Sequence, residues 1–149
     1  MSRFIAISVV TLFLSGCAVA PKAEVNQTDW RDIKVGGVPL RVELAFTTKQ
    51  QTRGLSGRES LAPGTGMLFK FAQAGRYNFW MNEMKFALDF IWVREGKIIQ
   101  LNANIPPPLK DFPRPETLQA RAPVDAVIEV PAGWIKDNGI KIGDEVIGF

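Results

Sequence analysis

From residue 38 the chain alternates cleanly. Val38, Leu40, Val42, Leu44 and Phe46 fall on one face, and Pro39, Arg41, Glu43 and Ala45 on the other. That period of two predicts a half-buried strand. Gly36-Gly37 before it, with Ile33 and Val35 upstream, reads as a two-residue hairpin turn. Thr48, with Gln51 three residues later and Gly54 beyond, predicts a short capped helix. Pro63-Gly64 turns the chain into a short strand over 67–71. Further strands are predicted over 76–81, 86–93 and 98–105, the last two joined by the turn Arg94-Glu95-Gly96-Lys97. Pro106-Pro107-Pro108 ends pairing, because proline donates no ladder hydrogen bond. The proline-rich stretch to residue 122 reads as a long, stiff surface loop. A strand over 126–130, a short helix over 131–138 stopped by Gly139, and strand pieces around a Gly143-Asp144 turn complete the chain. The pattern predicts a mainly β fold with short helices (α+β), a small compact antiparallel β-barrel-like domain.

The N-terminus has a different pattern. Met1-Ser2-Arg3 carries one positive charge, and Phe4 to Leu14 is apolar apart from Ser8 and Thr11. Such a run is too short to span a bilayer, which takes ~20 residues, but fits the core of a secretory signal. Leu14-Ser15-Gly16-Cys17 follows and resembles the lipobox of bacterial lipoproteins, in which the cysteine is acylated and becomes the first mature residue. On this reading residues 1–16 are a lipoprotein signal peptide. Residues 17–28 are a flexible tether from acylated Cys17, and residues 29–149 are a single β-rich domain. The alternative is an ordinary signal or short anchor with an incidental cysteine. Ala18, in a diderm host, favours an outer-membrane lipoprotein facing the periplasm over retention at the inner membrane. Several acyl chains anchor stably where one does not.

Composition narrows the chemistry. The 149 residues hold 18 Lys+Arg against 15 Asp+Glu, one cysteine and no histidine. Without histidine there is no Ser-His-Asp or Cys-His device and no imidazole metal ligand. One cysteine makes neither an internal disulfide nor a cysteine zinc site. Met67, Met81 and Met84 read as core or pocket filling rather than soft metal ligands. No metal, cofactor or catalytic residue is expected. The basic residues are scattered and the net charge is only +3, so anionic lipid or wall polymer is a better partner than nucleic acid.

The middle of the chain resembles a known family. Arg53-Gly54-Leu55 with Arg58 and Leu61, Gly66-Met67-Leu68-Phe69, Phe79-Trp80-Met81, and Leu88-Asp89 with Ile91 are similar to the domain of unknown function 192 family. Ile128-Glu129-Val130, Ala132-Gly133, Gly139-Ile140 and Gly143-Asp144 extend the resemblance to the C-terminus. It implies a compact, barrel-like β domain, often exported, and brings no activity, substrate or catalytic residue. Three places depart from the family pattern: Ser56 where methionine is common, Asn82-Glu83 where Lys-Asn is common, and Ala87 where proline is common. They predict a differently shaped loop after Trp80-Met81.

Two positions lead the search for a site. Asp89 lies in Phe86–Val93, a segment otherwise apolar on both faces, so a buried carboxylate there needs a partner. Arg53, Arg58, Arg76 and Lys85 are the candidates, Arg53 foremost, with backbone amides as the other solution. The alternatives for Asp89 are a structural lock, a pocket carboxylate, or a catalytic acid or base. Trp80 shares a strand face with Asn78 and Asn82, an aromatic flanked by amides that suits stacking on a sugar or peptide. A tryptophan half-covered by the proline-rich loop is the competing reading. Arg53 and Arg58 are candidate anion grips. Gln100, Asn102 and Asn104 form an amide stripe that is expected to be solvated. Glu129, Asp144 and Glu145 read as strand-end and turn acids without paired geometry, and Asp111 and Glu116 fall in the loop. The leading expectation is a lipid-anchored extracytoplasmic binding module, not an enzyme, for a wall saccharide, a peptide or an envelope protein. A carboxylate-based hydrolase or lyase using Asp89 with Arg53 or Arg58, and an envelope assembly factor, are the alternatives.

Overall fold

The structure is a computed structural model that describes residues 29–109 and 117–149. The segments expected to be a signal peptide and a tether, with Cys17, and also Asp111 and Glu116, lie outside the described residues. Nine strands and two short helices follow in order: β1 (Trp30–Val35), β2 (Val38–Ala45), α1 (Thr48–Arg53), β3 (Thr65–Gly75), β4 (Asn78–Trp80), β5 (Leu88–Arg94), β6 (Lys97–Ile105), β7 (Thr117–Gln119), β8 (Val124–Pro131), α2 (Trp134–Asp137) and β9 (Val146–Ile147).

Seven strands form one sheet in the order β6-β5-β8-β3-β2-β1-β9. The sheet curls until its ends meet. A bridge joins Lys97 to Glu145, and Val146 N donates to Gly96 O at 2.8 Å. The barrel-like expectation therefore holds. One pair departs from antiparallel geometry: β2 and β3 run parallel, Arg41 beside Thr65 through Ala45 beside Phe69. A parallel pair needs a long crossover. Residues 46–64 supply it, and α1 lies within it.

Both predicted tight hairpins form. Val35 pairs with Val38 across Gly36-Gly37, whose φ values of +58° and +84° are those of a primed two-residue turn. Glu95 and Gly96 (φ +51° and +72°) do the same between β5 and β6. Three local expectations are corrected. β2 stops at Ala45, and Phe46 is 55% exposed, because the chain leaves the sheet there to enter α1. The helix N-cap is Thr47, not Thr48. Its hydroxyl accepts from Gln50 N at 3.2 Å while Gln50 Oε1 accepts from Thr47 N at 2.9 Å. The sequence Thr47-Thr48-Lys49-Gln50-Gln51 satisfies the capping spacing in either register, and the second glutamine serves the sheet instead. Gln51 Nε2 donates to Ala45 O at 3.1 Å and Lys70 O at 3.3 Å, tying the end of β2 to the middle of β3. Finally, the proline-rich stretch contains a strand, β7, which pairs with β4 as a separate two-stranded ribbon.

The barrel interior is filled by one apolar cluster that includes Val42, Leu68, Ile91, Val93, Ile128 and Val130. A second cluster, including Met67, Phe69, Phe79, Phe90, Trp92 and Val127, lies on the opposite face of β3, β5 and β8. The β4–β7 ribbon supplies Phe79 and Leu118 to it. These central strands are buried on both faces, which is why their sequences read as nearly continuous apolar runs. Full burial of each such side chain contributes ~1.5–3 kcal/mol. Trp92 meets the condition that burying an indole imposes: its Nε1 donates to Asn102 Oδ1 at 2.8 Å. The amide stripe is thus not merely solvated. Gln100 Nε2 donates to Asn102 Oδ1 at 2.9 Å, and Gln100 Oε1 accepts from Arg121 N at 2.8 Å.

Candidate functional site

Two buried polar side chains stand out in this core, Asp89 and Glu129. They lie on opposite faces of the sheet. Asp89 is opposite Val130 in the β5–β8 register, so it faces the barrel interior. Glu129 is opposite Phe90 on β5 and Met67 on β3, so it faces the outer apolar layer.

Asp89 is fully occupied by the fold. Its Oδ1 accepts from Asn104 N at 2.8 Å, and its Oδ2 accepts from Ile135 N at 2.9 Å. Asn104 holds a left-handed φ of +57°, which turns its amide to the carboxylate. Ile135 is the second residue of the short helix α2. The carboxylate therefore locks α2 and the end of β6 to the sheet through backbone amides. The arginine partner favoured from the sequence is corrected. Arg58 instead pairs with Glu43 of β2, Nη1 to Oε2 at 2.7 Å. Arg53 sits on the other layer and lines a pocket there. Lys85 meets Glu59.

That pocket lies between α1, the loop after it, β3 and β4, and encloses about 170 Å³. Phe69, Phe71, Tyr77, Phe79 and Met84 form its apolar walls. Phe71 and Tyr77 stack with ring centroids 3.5 Å apart, and Phe69 meets Phe79 edge-on at 5.0 Å. Thr48, Gln51, Thr52, Arg53, Ser56, Asn78 and Trp80 complete the lining. Glu129 lines the same pocket. Gly54, the helix C-cap at φ +50°, lets the chain pass close: a Cβ there would stand 3.4 Å from Phe69 and 3.9 Å from Glu129 Oε2. A shallow groove continues past Thr52, Arg53, Ser56 and Trp80 to Asn82, Glu83 and Thr117.

Four of the sequence-selected residues are thus gathered: Arg53, Asn78 and Trp80 at the pocket, and Asn82 along the groove. Trp80 is 40% exposed. Asn78 Oδ1 accepts from Gln119 Nε2 at 2.8 Å, which joins the rim to β7. Asp89 and Arg58 are not brought to the lining. Two of the departures from the family pattern touch each other, since Ser56 Oγ donates to Asn82 O at 2.8 Å.

Glu129 is the residue that sequence reasoning missed. It is 95% buried, since only 5% of it is exposed, and its Oε2 has no hydrogen-bond partner among the described residues. Burial pushes its carboxyl up to about 8 from 4.5, and the nearby Arg58 charge pulls it partly back. At neutral pH it holds its proton. The available cue was the one that selected Asp89: an acid inside an apolar run, Ala126-Val127-Ile128-Glu129-Val130. The described residues contain no group of three or more acids or other ligand side chains suited to a metal ion.

The pattern of the whole domain matches one family model over residues 31–148, described as Uncharacterized ACR, the domain of unknown function 192. The chain belongs to the domain of unknown function 192 family. Two solved structures share the fold of this family member. A protein from Sinorhizobium meliloti 1021, assigned only provisionally as a transcription regulator, superposes with a TM-score of 0.72 at 28% identity, over 81% of this chain and 95% of its own. A protein of unknown function from Novosphingobium aromaticivorans DSM 12444 gives a TM-score of 0.70 at 29% identity, over 87% and 91%. No curated protein matches the chain. No helix among the described residues is long and apolar enough to cross a membrane.

Proposed function

We propose that this domain of unknown function 192 protein is a lipid-anchored extracytoplasmic binding module, held in the cell envelope through acylated Cys17. Its ligand site is the pocket between α1, β3 and β4. The observation that carries the reading is the pocket itself: aromatic walls, a rim of hydroxyl and amide groups, and one buried carboxyl oxygen without a partner among the described residues. Ligand sites combine apolar walls with a few placed polar groups in this way. The partner is a small or extended molecule of the envelope, a wall saccharide or peptide or a segment of an envelope protein, and not nucleic acid. Anchoring on the outer membrane, facing the periplasm, follows from Ala18 after Cys17 in a diderm host.

The enzymatic alternative changes its residue. Hydrolase or lyase chemistry built on Asp89 loses its base, because both oxygens of that carboxylate are held by backbone amides inside the barrel. Glu129 is the pocket's carboxyl, and a glycosidase needs a second one at a set separation. Among the described residues, the pocket lining contains no other acid.

Two measurements test the proposal. The full chain, purified in non-ionic detergent, is screened by thermal shift against wall peptides and saccharides. A ligand that raises the melting temperature should do so far less for Trp80→Ala, which removes the half-exposed ring at the rim. A shift equal in both proteins places binding elsewhere. For the anchor, Cys17→Ser should release the protein from the detergent-extracted membrane fraction or leave an uncleaved precursor. A mature-size band that stays with the membrane would disprove acylation.

A further inference from the structure

We propose that the pocket takes an alkylammonium group, with Glu129 as its counter-ion and the surrounding rings as its walls. This deepens the binding reading above and rests on it.

Three polar side chains that could compete for this role, Arg58, Asp89 and Gln51, are already engaged within the fold. Arg58, the nearby cation, is engaged with Glu43 at 2.7 Å. Asp89 is satisfied by two amides on the far face. Gln51 bridges two carbonyls of the sheet. Glu129 Oε2 alone lines the pocket with no partner among the described residues. A buried acceptor left in this state is destabilising, and a ligand donor relieves it. The donor is specified by its setting. Phe69, Phe71, Tyr77 and Phe79 line the approach to the carboxyl. Aromatic faces attract a cation, most strongly where water is excluded, while the alkyl stem packs against the same rings. A carboxylate within reach then completes a charge-assisted hydrogen bond.

Size favours the same ligand. The enclosed volume of about 170 Å³ falls below the roughly 300–1,000 Å³ of sites that enclose a whole drug-sized molecule. It suits one slender chain rather than a sugar ring. Arg53 is like-charged but exposed at the mouth, where water and salt screen it. The ammonium has two natural sources, a free alkylamine or a lysine-type side chain on an extended peptide. In the second case the peptide backbone would lie along the groove past Trp80 and Asn82.

The test uses the full chain in non-ionic detergent and isothermal titration at alkaline pH. Butylammonium chloride is compared with 1-butanol, its near-isosteric neutral counterpart, and with Nα-acetyl-lysine N-methylamide. The wild-type protein should bind butylammonium ~tenfold or more tightly than 1-butanol, the scale of one charge-assisted hydrogen bond. Glu129→Gln should remove that preference while leaving 1-butanol binding in place. If Glu129→Gln fails to fold, Tyr77→Leu serves: it keeps the carboxyl, removes a ring, and should weaken butylammonium more than 1-butanol. Tighter binding of the lysine derivative than of butylammonium identifies a peptide-borne source; equal or weaker binding identifies a free amine. Equal affinity of the wild type for amine and alcohol overturns the ammonium assignment and leaves the pocket as a ligand site. Binding by none of the three, with no response to any wall fragment in the thermal-shift screen, overturns both readings.

Discussion

Replacing Glu129 by glutamine should leave the melting temperature almost unchanged in acid and raise it on the alkaline side by on the order of 10 °C. The Glu129 carboxyl titrates near 4.5 in the unfolded chain and is pushed up to about 8 by burial in the folded one. Below the first value both states carry the proton, and the native state keeps its full stability. Between the two the unfolded chain loses a proton that the folded chain holds. Stability therefore falls as pH rises, by about 1.4 kcal/mol per unit. The loss ends once pH passes the folded value and totals on the order of 4 kcal/mol. Glutamine has the same shape and no proton to lose, so its stability lacks that slope. Arg58 and Glu43 are the charged pair beside this carboxyl. Arg58→Ala should leave that slope unchanged but carry the decline to higher pH and enlarge its total, because a charge that favours the ionised form is removed. Melting curves by circular dichroism from acid to alkaline pH decide the matter. Parallel curves for wild type and Glu129→Gln would show that the carboxyl is hydrated or paired in the folded protein.

Asp89→Ala should be the most damaging single change in the barrel interior. It strands two amide donors at once, Asn104 N and Ile135 N. Each buried donor left unsatisfied costs ~1–3 kcal/mol, so the sum is on the order of 2–6 kcal/mol. Asp89→Asn should cost less, because one amide oxygen still accepts and only the second donor meets an NH₂ group. Among the described residues, no arginine pairs with this carboxylate. The double variant Asp89→Ala with Arg53→Ala should therefore add to within ~0.3–0.5 kcal/mol. Urea denaturation of the four proteins in that cycle gives the number directly. Coupling well above that range, or an Asp89→Ala protein as stable as the wild type, would contradict the amide lock.

These two acids mark how far the sequence could be read. Both sit in strands that are apolar on either side, and period-two alternation assigns each to a face. Alternation does not say which face closes over the barrel interior and which carries a pocket. That depends on where α1 and the β4–β7 ribbon settle, and a crossover and a ribbon are long-range facts. Asp89 was recognisable as buried and in need of a partner, but nothing local distinguishes a distant amide from a distant guanidinium. Arg53, Asn78, Trp80 and Asn82 were found because rim residues carry their chemistry on the surface of the pattern. The hairpins at Gly36-Gly37 and Glu95-Gly96 were legible because a primed turn demands positive φ from specific residues. The parallel β2–β3 pair was not, since strand direction follows from the crossover. Nor was β7, whose three residues Thr117–Gln119 lie in a proline-rich stretch and make a strand only because β4 is there to pair with.

The place of β8 in the sheet has a consequence for how the chain acquires its shape during synthesis. β8 is the single strand that joins the β1-β2-β3 half to the β5-β6 hairpin. Until residue 124 and those after it have emerged, the earlier strands have no common partner and present two separate ribbons with bare apolar faces. The ends then join only when Glu145 and Val146 reach Lys97 and Gly96, with β9 held beside β1 at Lys34 and Val35. Contacts so distant in sequence make for slow, all-or-none folding. A polypeptide built this way leaves its earlier strands without their sheet partners until β8 and β9 have been made. The same topology obliges the exposed strands of one copy to be kept apart from those of another until the last partner arrives.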